Sequence, residues 1–234
     1  MRSALVTGGT GGIGFGIVEA LLDDGWQVLA SGLGEAEVAG CPERAGLRAC
    51  RLDVTDEAAV AALVGGLERL DGLVNCAGTI ARGGREYEIE TFRQVVEVNL
   101  VGTMRLCLAC KPLLQESGGS IVNIASMLTY FGGPLVPAYS ASKGGIGQLT
   151  KALAGRWAED GIRVNAVAPG WIESALTAPL REDPAREQTI LGRTPMGRWG
   201  RGREVGDMVA HLLSARAGFV TGSIVPVDGG YSAV

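Results

Sequence analysis

Tyr139 and Lys143, in the run Tyr139-Ser140-Ala141-Ser142-Lys143, are the residues whose types and spacing can do acid–base chemistry. Four apart on a helix, they share a face one turn apart. An ordinary tyrosine has a pKa of roughly 10, too high for a base at neutral pH. A neighbouring ammonium favours the phenolate and draws that value down. The pair is therefore a candidate general acid/base. The same spacing also describes a buried ring beside a solvated amine, so the chemistry rests on the elements around it.

Those elements alternate. Ala4-Leu5-Val6 runs into Thr7-Gly8-Gly9-Thr10-Gly11-Gly12-Ile13-Gly14, and apolar residues then recur at Ile17, Val18, Leu21 and Leu22. This reads as strand, glycine turn, helix, with exposed N–H groups at the helix start forming an anion site. The glycines fit two registers, GxGxxG over 9–14 and TGxxxGxG over 7–14. Further strands are expected at 27–31, 47–52, 72–76, 120–126, 162–168 and 224–227. Helices are expected from Thr55, as N-cap, to about Leu70, over 88–116 with Asn99 inside, from the Tyr139 region to about Asp160, and over 202–215. The piece between the second and third strands is short, so its helix is stunted. Residues 171–197 carry Pro179, Pro184 and Pro195 and read as an irregular lid segment. Continuous apolar strands alternating with helices predict one α/β domain over 1–234, a doubly wound parallel sheet of seven strands with helices on both faces. The small residues Ala77 and Gly78, after the fourth strand, leave room for a flat ring at the edge where such sheets bind ligands.

Composition removes other classes. Aromatics are 5% and net charge is −4, with no basic stripe, which argues against nucleic-acid or anionic-membrane partners. The lone histidine, His211, excludes His-rich metal sites and argues against a Ser-His-Asp triad, and no metal is expected. Cys107 and Cys110 sit in an apolar helical run and read as buried small hydrophobes. The uncharged stretch 117–142 is broken by glycines and prolines and does not read as a span. A cytoplasmic protein is expected.

Eight segments, in order and spacing, resemble the short-chain dehydrogenase/reductase family in its single-domain, Rossmann-type form: TGGTGGIG (7–14), DV (53–54), NCAG (75–78), VNL (98–100), NIAS (123–126), YSASK (139–143), VNAVAPG (164–170) and VTGSIVPVDGG (220–230). The resemblance implies hydride transfer between a nicotinamide cofactor and a secondary alcohol or ketone. It implies a catalytic tetrad of Asn99, Ser126, Tyr139 and Lys143. Tyr139 would pass the proton, Ser126 would polarise the substrate oxygen, Lys143 would lower the Tyr139 pKa and hold the ribose, and Asn99 would hold a relay water. It implies cofactor contacts from Gly8, Thr10, Gly11, Gly12, Ile13, Gly14, Gly32, Asp53, Val54, Asn75, Ala77, Gly78, Tyr139, Lys143, Pro169, Gly170, Ile172 and Ser174. It also implies a homotetramer, built on helices whose small residues lie at 144–155 and at Ala109. Two departures stand out: Cys76 replaces the second asparagine of the usual NNAG, and Ser174 replaces the usual threonine after PG.

NIASML (123–128), GGPLVPAYSASK (132–143) and TPMGRWG (194–200) are similar to the gluconate and deoxygluconate dehydrogenases. That branch implies a sugar acid or polyol bound among Ser126, Met127, Tyr139 and Trp171, with Arg82, Arg85, Arg193 and Arg198 as candidate carboxylate partners. Leu128 and Phe131, with Met127 and Trp171, pull instead toward an apolar ketone or acyl chain. The competing readings are an NADPH-dependent 3-ketoacyl thioester reductase and a non-catalytic dinucleotide-binding regulator; the complete tetrad argues against the latter. Gly32 stands where the family's NAD-selecting acid would, yet 8–14 and 31–35 hold no Lys or Arg for a 2′-phosphate and Glu35 repels one, so NAD is favoured over NADP.

Overall fold

The computed structural model describes residues 1–175 and 177–234. Seven strands form one sheet in the order β3-β2-β1-β4-β5-β6-β7, every pair parallel. They are β1 Ser3–Thr7, β2 Gln27–Gly32, β3 Leu47–Arg51, β4 Gly72–Asn75, β5 Ser120–Ile124, β6 Arg163–Pro169 and β7 Ile224–Val227. The central strands are apolar on both faces because helices cover both. Leu73, Val74, Ile121 and Val122 are wholly buried, each contributing about 1.5–3 kcal/mol.

One face packs α1 (Gly12–Asp23) and α9 (Gly202–Leu213). Here the chain needs glycine: a Cβ on Gly16 would lie 2.3 Å from the Gly202 carbonyl carbon, and one on Gly206 would lie 2.3 Å from the Gly16 oxygen. The other face packs α3 (Glu57–Gly65), α5 (Gly102–Ser117) and α6 (Pro137–Trp157).

The expected strands are all present, and α2 (Glu35–Ala39) is as short as its sequence suggested. Three expectations are corrected. The N-cap of α3 is Asp56, whose side chain accepts from the Ala59 N–H, because the Thr55 hydroxyl is taken by Asp53. That helix ends at Gly65, not near Leu70, because glycines stand at its last position and at its cap. The segment 171–197, read as irregular, contains α7 (Ala178–Arg181) and α8 (Pro184–Arg193). Its Pro184 starts a helix instead of breaking one, with Asp183 capping the Ala185 and Arg186 N–H groups. Leu176, inside that segment, lies outside the described residues. The long 88–116 pattern is α4 (Ile89–Val96) and α5 joined without a break by a π-helical turn, Glu97–Val101, at Asn99.

Candidate active site

Parallel registration brings the C-terminal ends of the strands into line. Thr7 pairs with Asn75, and Asn75 with Asn123. Thr7 Oγ1 accepts from the Cys76 and Ala77 N–H groups at 3.1 and 3.2 Å, which seats the loop after β4 against β1. Asn75 turns its side chain into the core. Its Nδ2 donates to Asn123 Oδ1 at 2.9 Å and to Cys107 Sγ at 3.3 Å, while Asn123 Nδ2 donates to Thr150 Oγ1 on α6 at 3.0 Å.

The glycine turn selects one of its two registers. Gly8 and Gly12 have φ of +64° and +54°, and a Cβ on Gly14 would lie 1.9 Å from the Gly8 oxygen. Gly11 has open space around it. Thr7, Gly8, Gly12 and Gly14 are the fixed positions of TGxxxGxG. The opposite wall of the groove is Ser174, whose Cβ lies 3.5 Å from the Cβ position of Gly12. Ile172 bridges to Gly200, and Gly170 packs on Asp228 where a Cβ would come within 2.6 Å. Asp53 is fixed by the Thr55 hydroxyl at 2.7 Å and amide at 2.9 Å, which hold its carboxyl below the ordinary value. A groove whose floor excludes side chains, at a helix N-terminus, fits a dinucleotide diphosphate.

Past β5, Ser126 caps a short 3-10 turn, Met127–Thr129, with its Oγ accepting from the Leu128 N–H at 3.2 Å. Thr129 Oγ1 donates to the Lys143 carbonyl at 2.8 Å, so the Ser126 turn is tied to α6. On α6, Tyr139 and Lys143 share a face as the spacing demands: Lys143 Nζ lies 5.6 Å from the Tyr139 ring centre and donates to the Ile124 carbonyl at 2.6 Å. Asn99 is buried in its π turn. Its Oδ1 accepts from the Thr79 N–H at 2.8 Å, and its Nδ2 donates to the Thr79 carbonyl at 2.9 Å and to Ser142 Oγ at 3.1 Å. The Cβ position of Gly78 is 3.4 Å from Asn99 Oδ1 and 3.9 Å from Lys143 Nζ. Asn99, Ser126, Tyr139 and Lys143 thus converge beside the ends of β4 and β5.

The electrostatics differ from the expectation that Lys143 lowers the Tyr139 pKa. Burial holds the phenol above its ordinary value; the Ser126 hydrogen bond and Arg82 lower it, while Cys76 and Glu86 raise it. Burial also brings Lys143 down to about 8, so it is still mostly protonated at neutral pH but loses its charge just above it. In this state the phenol is an acid at neutral pH, suited to giving a proton.

Of the four arginines, Arg198 is committed to Glu204 by two bonds of 2.6 and 2.9 Å. Arg193 instead lies over the Tyr231 and Phe131 rings at 4.4 and 5.4 Å. Trp171 meets Trp199 and Tyr231 edge-on at 6.0 and 6.3 Å, and its buried indole N–H has no acceptor among the described residues. Arg85 lies in the 3-10 turn Arg85–Tyr87. The sequence reading missed Glu86, Ser142 and Thr129, which hold the site from behind, and Tyr231, whose ring packs against Trp171 and Phe131.

A cofactor groove beside a Tyr–Lys pair on a doubly wound sheet defines a nicotinamide-dependent oxidoreductase. Comparison with known proteins agrees. A family profile described as enoyl-(acyl carrier protein) reductase matches residues 8–232. The 2-dehydro-3-deoxy-D-gluconate 5-dehydrogenase of Bacillus subtilis is 40% identical over 239 residues, covering 98% of this chain and 94% of its own. The cis-4-hydroxycyclohexanecarboxylate dehydrogenase of Sinomonas cyclohexanicum is 39% identical, covering 100% and 97%. A crystal structure from Agrobacterium tumefaciens, described as a 2-deoxy-D-gluconate 3-dehydrogenase with bound NADP, superposes with a TM-score of 0.90 at 38% identity, covering 100% and 97%. The chain belongs to the short-chain dehydrogenase/reductase family. It transfers a hydride between a nicotinamide cofactor and a secondary alcohol or ketone.

Proposed function

We propose that the substrate is a hydroxy or keto sugar acid or a related polyol, that the preferred cofactor is NAD(H), and that Tyr139 is the proton carrier. Tyr139 gives its proton to the carbonyl oxygen in reduction and recovers it in oxidation. Ser126 donates a hydrogen bond to the same oxygen. Lys143 and Asn99 hold the ribose side and the loop at Gly78. Bound nicotinamide supplies or accepts the hydride. The observation that carries this chemistry is the convergence of Ser126, Lys143 and Asn99 on Tyr139. Tyr139→Phe should lower kcat by about 10²–10⁴-fold with cofactor binding intact; a variant keeping more than about a tenth of wild-type kcat overturns the assignment.

For the substrate, the support is Arg193, which makes no ion pair among the described residues and whose planar edge is suited to a carboxylate. The unpartnered Trp171 N–H offers a further donor to a polar ligand. The names of the relatives point the same way. Keto-sugar acids, neutral polyols and 3-ketoacyl thioesters should be compared under both cofactors. A thioester with the highest kcat/KM by tenfold or more would replace this reading with the acyl one.

For the cofactor, the support is Glu37, not the Glu35 that the sequence suggested. Glu37 Oε2 accepts from the Leu33 N–H at 2.9 Å and lies 3.0 Å from the Cβ position of Gly32. A carboxylate therefore occupies the place of the family's acid, where it accepts from a ribose 2′-hydroxyl and repels a 2′-phosphate. Arg51, whose Nε donates to the Leu33 carbonyl at 3.2 Å, is the opposing charge. Dissociation constants decide: NADH should bind more tightly than NADPH, and Glu37→Gln should narrow the gap.

A homotetramer is part of the same proposal. Gly144 and Gly155 on α6 face open space, and Val101 and Leu108 on the continuous α4–α5 helix are exposed. Gly145 and Gly147 instead pack within the chain, on Leu100 and Thr129. Light scattering showing a monomer at micromolar concentration would refute it.

A further inference from the structure

The run Arg85-Glu86-Tyr87-Glu88 reads as a solvated turn, yet Glu86 is wholly buried. The two residues before Arg85, Gly83 and Gly84, have φ of +72° and +80°, a left-handed pair that glycine adopts without steric cost. They turn the chain back so that Glu86 faces the loop it has just left. Its Oε1 accepts the Ala81 N–H at 2.9 Å, and its Oε2 accepts the Tyr139 N–H at 2.9 Å from 53 residues away.

This second bond answers a need of α6. The helix opens with Pro137 after Val136, which provides no side-chain cap, and first-turn N–H groups require an outside acceptor. Glu86 supplies it to the residue that carries the phenol. On the other side of that residue, Ser142 Oγ donates to the Tyr139 carbonyl at 2.8 Å and itself accepts from Asn99 Nδ2. Both backbone groups of Tyr139 are thus tied to the loop after β4, through Glu86 to Ala81 and through Ser142 and Asn99 to Thr79.

We propose that Glu86 is a positioning residue for the reaction, clamping the backbone of Tyr139 to the 78–81 loop and acting through Tyr139 alone. Its charge gives the role a measurable sign. The groups that face the phenol are Ser126, Cys76, Arg82, Glu86 and Lys143. Glu86 is among those that favour the protonated form, so removing its charge favours the phenolate.

The inference rests on Tyr139 as proton carrier, so the experiment includes Tyr139→Phe. Glu86→Gln, Glu86→Asp and the double variant Glu86→Gln/Tyr139→Phe are made in the full chain. Cofactor dissociation constants, thermal midpoints and kcat against pH for alcohol oxidation are measured. Glutamine leaves one N–H without its acceptor, and a misplaced reacting group costs up to about a hundredfold. Glu86→Gln should lose at least about tenfold in kcat, bind cofactor as wild type does, and show its acidic limb at lower pH. Glu86→Asp keeps the charge but is too short to reach both N–H groups; it should lose turnover and keep the limb in place. In the Tyr139→Phe background, Glu86→Gln should cost nothing further. Wild-type kcat and an unmoved limb in Glu86→Gln overturn the proposal, as does an equal loss in the Tyr139→Phe background. If Glu86→Gln does not fold, wild-type turnover in Glu86→Asp overturns it. An active Tyr139→Phe sinks the proton-carrier assignment and Glu86 with it, whereas an inactive Tyr139→Phe beside unaffected Glu86 variants sinks Glu86 alone.

Discussion

The glycine turn between β1 and α1 and the mouth around Trp171 are built by opposite means. In the turn, backbone lies against backbone: Gly8 sits on Ala77, and Gly14 on Gly8, at distances that leave no room for a Cβ. In the mouth, side chains do the work, with Trp171 edge-on to Trp199 and Tyr231, Phe131 tilted against Tyr231, and Arg193 laid over the Tyr231 and Phe131 rings. A site made of backbone is specified by what residues cannot be, and a ligand common to a whole family can be held that way. A site made of side chains is specified by which residues meet, and it can change with each substrate.

The largest effect should come from breaking the backbone half. Gly14→Ala places a Cβ 1.9 Å from the Gly8 oxygen, so it should destabilise the fold by more than about 3 kcal/mol and abolish cofactor binding. Gly11→Ala, three residues earlier but in open space, should leave the fold within about 0.5 kcal/mol of wild type. Calorimetry and NADH titration of the two variants check this, and equal damage from both would show that the turn does not discriminate between positions.

The same contrast explains what the sequence made legible. The strands stood out because each is a short apolar run closed by small or turn residues, and the tetrad stood out because the residues at 123–126 and 139–143 have fixed spacing. The glycine register was ambiguous as letters, because five glycines crowd eight positions, and only the φ angles and close contacts separate Gly11 from Gly12. Glu86 was hidden because a glutamate among charged neighbours gives no sign of burial; the Gly83-Gly84 pair was its only local trace. Helix α8 had a readable start, Asp183 before Pro184, which was masked by reading three prolines together as breakers. Tyr231 reaches the Trp171 and Phe131 rings only through the final chain reversal at Gly229 and Gly230, whose φ values are +64° and +87°.

An intermediate effect should come from the side-chain half. Arg193→Gln should raise KM for an anionic substrate by about 10–100-fold, the loss of a charge-assisted pair of roughly 1.5–3 kcal/mol. KM for a neutral alcohol and the cofactor dissociation constant should not change. Equal loss on charged and neutral substrates would assign Arg193 to ring packing.

Lys143 lies where the two halves meet, and its burial carries a stability cost. Its pKa falls from 10.5 to about 8 on folding. Below about pH 8 both folded and unfolded chains hold the proton, and the folded chain bears the full cost of the buried charge. From about pH 8 to 10.5 the folded chain has released its proton while the unfolded chain has not, so the contribution of this group to stability rises with pH. Lys143→Met should therefore be inactive yet more stable than wild type near pH 6.5, by on the order of 2 kcal/mol after the Ile124 carbonyl loses its donor. The advantage should shrink as pH rises past 8. Unfolding midpoints across that range test the sign, and a variant less stable than wild type at pH 6.5 would show that the Ile124 bond outweighs the burial cost.

The smallest effect is expected at Cys76, the departure from the family's usual asparagine. Cys76 borders both halves, since its N–H is held by Thr7 and its thiol is close enough to Lys143 and Tyr139 to influence their protonation. A reactive cysteine there would make the site sensitive to alkylation, but reactivity belongs to the thiolate. Burial pushes the Cys76 thiol up to about 11, against a smaller opposing pull from Lys143. The thiolate fraction is therefore minute at neutral pH and grows only as pH approaches 11. Cys76→Asn should leave kcat within about twofold of wild type, because the backbone of the loop, not this side chain, is what Thr7 holds. Iodoacetamide at pH 7.5 should leave activity intact over the time in which free cysteine is consumed, and modification should accelerate toward pH 11. Rapid inactivation at pH 7.5 that is absent from Cys76→Asn would place a thiolate in the site and give the thiol a larger part in its electrostatics than its burial allows.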